Sequence, residues 1–165
     1  MIEVRIASLA VDPRTNQPVL ILRPLAGDPG HGRVLPIWIG QPEATAILLA
    51  IEGVELPRPL THDLLKSVIE SLDAYVERIE ITRVEEGTFF AAIVLRAEER
   101  TIAVDARPSD SIALAVRTGA PVFVAADVME SAAVPDDSNG VVDEEAELQA
   151  FREFLDEVDP EDFQG

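Results

Sequence analysis

The sequence predicts an α+β fold: duplicated β-β-β-α units forming a sheet packed with three helices, followed by an acidic C-terminal helix. Three observations carry this prediction. Short apolar runs alternate with polar residues and end in turn-forming clusters, which is the pattern of half-buried strands. Longer aliphatic stretches open at Pro or Thr and close at Gly, as helices do. Shifting residues 39–53 by 66 places them on 105–119, with Pro42 on Pro108 and Gly53 on Gly119.

The elements follow in order. Ile2, Val4 and Ile6 alternate with Glu3 and Arg5 in a strand running to Val11, and residues 12–16 (Asp-Pro-Arg-Thr-Asn) supply the turn. Val19–Leu22 is a buried strand, and Gly27–Gly32, which includes His31, is a loop. Val34–Ile39 is a third strand in which Pro36 points to an edge or a bulge, because proline cannot donate to the ladder. A helix spans Pro42 to Glu52. After the extended residues 56–60 (Leu-Pro-Arg-Pro-Leu), Thr61 is the expected N-cap of a second helix, with Leu65, Val68, Ile69 and Leu72 on one face. Strands at Tyr75–Val84, Thr88–Arg96 and Thr101–Asp105 lead to a third helix, Pro108–Thr118, and Pro121–Val124 closes the domain. The domain is expected over residues 1–130. Residues 131–165 divide into a linker (131–140) and a helix whose apolar stripe is Leu148, Phe151, Leu155 and Val158.

Composition narrows the function. The net charge is −18, and residues 136–165 alone carry −11. Backbone affinity for nucleic acid comes from clustered Lys and Arg, so such chemistry would need a local Arg cluster or a bridging cation. With no cysteine, disulfides and thiolate metal sites are excluded. No apolar run reaches the ~20 residues of a membrane span, and the N-terminus lacks signal-peptide order. A cytoplasmic location is expected. No P-loop, G-x-G-x-x-G, G-x-S-x-G or H-E-x-x-H occurs.

The chemistry-bearing residues sit at strand-to-helix corners. In the stretch 105–110 (Asp-Ala-Arg-Pro-Ser-Asp), Asp105 ends a strand and Asp110 falls in the first turn of a helix, with Arg107 and Ser109 beside them. Two such carboxylates suit a divalent cation, whereas a dominant Arg107 suits a phosphate. Stabilisation of the helix dipole accounts for Asp110 equally well. The stretch 58–63 (Arg-Pro-Leu-Thr-His-Asp) repeats the Arg-Pro corner and offers Arg58, Asp63 and His62, the last a general base or metal ligand. Glu43 is the one acid the first half can bring to a shared site.

Taken together, the stretches 35–40 (Leu-Pro-Ile-Trp-Ile-Gly), 57–63 (Pro-Arg-Pro-Leu-Thr-His-Asp) and 105–110 resemble the bifunctional nuclease domain family over residues 1–130. The resemblance implies a duplicated, usually oligomeric α+β domain with proposed DNase and RNase activity. The family's motif positions fall here on Glu43, Arg58, His62, Asp63, Asp105, Arg107, Ser109 and Asp110.

Two readings follow. In the first, Asp105 and Asp110, joined by Asp63 or Glu43, hold Mg²⁺ or Mn²⁺. Arg58, Arg107 and Ser109 bind substrate, and His62 moves protons in a phosphodiester hydrolase. In the second, the same residues form an ion-pair network inside a non-enzymatic, homo-oligomeric binding or regulatory module.

Overall fold

Alternating apolar positions place one face of most strands in a common core, and the chain closes that core with helices. In a computed structural model, residues 1–26 and 32–136 are described, together with Gln149 and Glu153. The elements run β1 (Ile2–Asp12), β2 (Gln17–Pro24), β3 (Arg33–Trp38), α1 (Gln41–Ile51), α2 (Thr61–Ser71), β4 (Ala74–Glu85), β5 (Thr88–Ala97), β6 (Arg100–Ala106), α3 (Pro108–Thr118), β7 (Val122–Val124), α4 (Ala126–Ala132) and β8 (Val134–Pro135). This is the expected α+β class. Element order by itself does not establish a duplication.

The eight strands of the described residues form one sheet in the order β6-β5-β4-β7-β1-β2-β3-β8. Two antiparallel meanders, β1-β2-β3 and β4-β5-β6, are joined by β7, which runs parallel to β4 and antiparallel to β1. Bulges in β1 (at Ala7) and in β4 (at Glu77 and Thr82) add local twist. The short helix α4 touches both β3 and β4, four places apart in the order, so the sheet curls around it. β8 pairs only with Arg33 and Val34, which leaves Pro36 on an open stretch of β3, as its missing N–H requires.

The core is aliphatic. Leu9, Leu20, Leu22, Leu35, Ile47, Ile79, Ile81, Ile112 and Leu114 are fully buried, each contributing about 1.5–3 kcal/mol on removal from water. Helix α3 is buried along most of its length and lies between α1 and α2. That sandwiching brings three helix N-termini together.

Two expectations shift. Residues 131–136, expected within a linker, instead complete α4 and contain β8. The Arg33 side chain donates to the carbonyls of Glu130 and Ala133, and Arg23 pairs with Asp136 at 2.9 Å in the interior. Helix α2 starts at Thr61 itself, with Leu60 as its N-cap. Leucine offers no side-chain acceptor, so Asp63 supplies the cap by accepting from Leu60 N–H at 2.9 Å. The apolar stripe of the acidic C-terminal helix, and His31, lie outside the described residues. No helix among the described residues is long and apolar enough to cross a membrane.

Candidate functional site

Glu43, Asp63 and Asp110 each occupy the third position of their helix, where a carboxylate meets unpaired N–H groups and the positive end of the dipole. Local preference thus explains why acids stand there. Tertiary structure decides what they do.

At the α1–α3 boundary, Arg107 is the N-cap residue of α3, and its extended backbone aims the side chain across the helix start. Its Nε donates to Asp110 Oδ2 at 2.7 Å, and its Nη2 donates to Glu43 Oε1 at 2.7 Å. The other oxygen of Asp110, Oδ1, lies 3.0 Å from His62 Nε2 at the start of α2. Glu43, Arg107, Asp110 and His62 therefore tie three helix N-termini into one network. His62 is only 8% exposed, whereas the Arg107 side chain is 66% exposed. The network is anchored at its histidine end and open at its guanidinium end.

Burial of Asp110 opposes ionisation, but the bonds from Arg107 and His62 outweigh it and hold the carboxyl below its usual range. Bonds to Asp110 and then Glu43 raise the Arg107 guanidinium in turn. An ionised carboxylate only accepts, so His62 Nε2 carries the proton in this bond, and Nδ1 is left as the ring nitrogen able to accept another. The result is a carboxylate-oriented imidazole beside an exposed cation.

These groups rim an open pocket of about 430 Å³ whose apolar part comes from Pro42, Ala46 and Leu60. A pocket of about 440 Å³ between β1 and α3 is lined by one ionisable residue, Arg5, and lacks a comparable cluster.

Glycine makes room for this arrangement. A Cβ at Gly40 would overlap Glu43 Oε2, so the carboxylate folds back over a position that only glycine leaves open. The φ of Gly40 is −73°, so space rather than backbone conformation is the constraint.

The remaining candidates are not drawn into the cluster. The Asp63 carboxylate turns to Arg117 and to Leu60 N–H. Burial works against its ionisation, and these two bonds prevail and lower its pKa. Asp105 is exposed on β6, the edge strand, and Arg58 is exposed before α2. Neither side chain forms a hydrogen bond or ion pair with another described residue. Ser109 is buried at 7% exposure and does not line the pocket. Arg117, in the last turn of α3, was not singled out from the sequence, because nothing local links it to an acid 54 residues away.

The arrangement does not fit a divalent ion held by Glu43, Asp63, Asp105 and Asp110. Among the described residues, no three His, Asp or Glu side chains stand close enough to hold a metal. Glu43 and Asp110 share one guanidinium, whose charge already fills the place between them, whereas Mg²⁺ or Mn²⁺ needs free oxygen ligands.

Comparison with known proteins agrees with the resemblance. Residues 24–137 match the bifunctional nuclease domain, a stretch that contains every member of the cluster. The chain is 46% identical over 172 residues to an uncharacterized protein of Mycobacterium tuberculosis, covering 99% of this chain and 98% of that protein. It is 29% identical over 98 residues to bifunctional nuclease 1 of Oryza sativa subsp. indica and 28% identical over 98 residues to bifunctional nuclease 2 of Arabidopsis thaliana. Each plant comparison covers 58% of this chain and 30% of the plant protein.

Proposed function

Because this chain belongs to the bifunctional nuclease domain family, we propose that it hydrolyses phosphodiester bonds of DNA, RNA or both, with His62, Asp110 and Arg107 as the working side chains. The observation that carries this reading is the 3.0 Å contact between His62 Nε2 and Asp110 Oδ1 at the rim of an open pocket. In the proposed reaction a water molecule attacks phosphorus while His62 Nδ1 takes its proton. Asp110 holds the ring in the required tautomer and stabilises the imidazolium that forms. The P–O bond to the leaving sugar oxygen breaks, and that oxygen takes a proton from solvent. Arg107 exchanges its bond to Glu43 for a phosphate oxygen and meets the negative charge carried by the non-bridging oxygens in the transition state.

The charge of −18 weakens long-range attraction for a polyanion, so recognition in this reading rests on one local cation rather than on a basic surface. The competing reading, a non-enzymatic module, is favoured by a different observation. Arg107 already satisfies two carboxylates from two helices, as a structural clasp would.

The deciding experiment is cleavage of labelled single-stranded DNA and RNA by the purified chain, in EDTA and in Mg²⁺, with His62→Gln alongside. Cleavage that persists in EDTA and is lost in His62→Gln supports the proposal. A pure wild-type chain that cleaves neither polymer supports the clasp.

A further inference from the structure

Strand β1 runs to Asp12, yet β7 pairs only with its first residues, Ile2 to Val4. From Arg5 onward, that edge of β1 has no strand beside it among the described residues. The segment leading into β7 borders the gap instead, and it does so with small residues, Gly119 and Ala120. The result is the hollow of about 440 Å³ between β1 and α3. A Cβ placed on Gly119 would meet no atom within 4 Å. The bulge at Ala7 shapes the facing wall, because a bulge re-aims the side chains around it, and Val4 to Leu9 all border the space.

The walls are apolar. Val4, Leu9, Ile112, Ala115 and Val122 supply most of them. Proteins leave little unfilled space among such residues, since an empty hollow deprives its walls of dispersion contacts. A mostly apolar hollow of about 300–1,000 Å³ with a few polar groups is the usual form of a small-molecule site. Two polar side chains stand here. Arg5 is exposed and is the one ionisable group among the described residues of the lining. Ser8 is half-buried, and its hydroxyl makes no hydrogen bond with a described residue.

We propose that this hollow binds a small amphiphilic carboxylate, with its apolar body against Leu9, Ile112 and Ala115 and its carboxylate on Arg5. Charge selects the carboxylate. A described lining with one cation and no acid favours a single negative charge, even in a chain of −18. Arg5 is already engaged within the chain, but a guanidinium has five N–H donors and serves more than one acceptor. The Ser8 hydroxyl is a further donor. Size selects the body. A cavity of about 150 Å³ holds one benzene ring, so this hollow takes a fused bicyclic ring or a chain of similar bulk. It shares no residue with the pocket beside His62. The inference is therefore independent of the proposed cleavage, and its test reads binding alone.

Isothermal calorimetry on the full chain compares naphthoate with naphthamide, which has the same rings and no charge. Naphthoate is expected to bind with a dissociation constant on the order of 10–100 µM, and naphthamide about tenfold more weakly. Arg5→Gln is expected to weaken naphthoate about tenfold and leave naphthamide unchanged. Ala120→Leu fills the hollow from the segment before β7. It is expected to weaken both probes by at least about tenfold, with an unchanged far-UV spectrum. Because Arg5 is exposed, its variant remains decisive if Ala120→Leu disturbs folding.

Absence of naphthoate binding up to about 1 mM overturns the proposal. Equal wild-type affinity for naphthamide overturns the choice of a carboxylate. Naphthoate binding that neither substitution weakens overturns the location.

Discussion

Arg107 Nη2 donates to Glu43 Oε1 at 2.7 Å, joining the first turn of α1 to the N-cap of α3 across 64 residues of sequence. The same guanidinium holds Asp110, and Asp110 holds His62. One exposed cation thus governs the geometry of a buried histidine through a single carboxylate.

His62→Gln keeps the ring's approximate size and a hydrogen-bonding tip but has no proton acceptor of comparable basicity. Cleavage of single-stranded substrate is expected to fall by about 10²–10⁴ in kcat with little change in KM, the usual contribution of a general base. Steady-state kinetics beside a circular dichroism spectrum check this. Equal loss in KM and kcat would indicate a misfolded pocket instead.

Asp110→Asn tests the network through pH. The folded-state pKa of Asp110 lies below its ordinary value of 3.8, so its ionised form contributes stability that is fully present above the unfolded pKa. That stability is lost as pH falls through the folded pKa. The wild type is expected to melt about 2–4 °C above Asp110→Asn at neutral pH, corresponding to about 1 kcal/mol for a partly exposed charged hydrogen bond. The gap is expected to close as pH is lowered from about 5 to below the carboxylate range. Calorimetry over that range checks it, and a gap that widens toward acid would contradict the assignment.

Gly40→Ala probes the space under Glu43. The added methyl overlaps only the end of a flexible side chain, so the fold is expected to survive while Glu43 swings away from Arg107. Freed of one carboxylate, Arg107 binds phosphate better. KM is expected to fall about 2–5-fold, in line with ~0.5–1 kcal/mol for an exposed pair. Glu43→Gln is expected to act in the same direction. A rise in KM in both variants would show that Glu43 positions Arg107 rather than competing for it.

Asp105→Asn is expected to be nearly silent. Its side chain is exposed on the edge strand β6 and outside the pocket. Stability and activation free energy are expected to stay within ~0.5 kcal/mol of wild type, roughly twofold in rate. Parallel melting curves and initial rates check this.

Much of the local structure was legible in the sequence for local reasons. Pro42 and Pro108 mark helix starts because their fixed φ suits the first turn, and Gly119 ends α3 in the left-handed conformation expected of it, at φ 71°. Helix α4 went unread because its seven residues are too few to display a period. The Arg-Pro corner at 58–59 looked equivalent to the one at 107–108, yet Arg58 stays exposed while Arg107 binds two acids.

By itself, the sequence determined the spans of β1 to β7 and of α1 to α3, and the placement of an acid in the first turn of each of those helices. Periodicity, capping and dipole effects act within a few residues, so they can be read directly from residue order. Only the tertiary structure decided that Glu43, His62, Arg107 and Asp110 meet, while Asp63 goes to Arg117 and Asp105 to none of the described residues. That choice depends on β7 inserting between β4 and β1 and on α3 lying between α1 and α2. Such long-range order is set by burying a shared core, and the local sequence at each corner carries no record of which distant corner it will face.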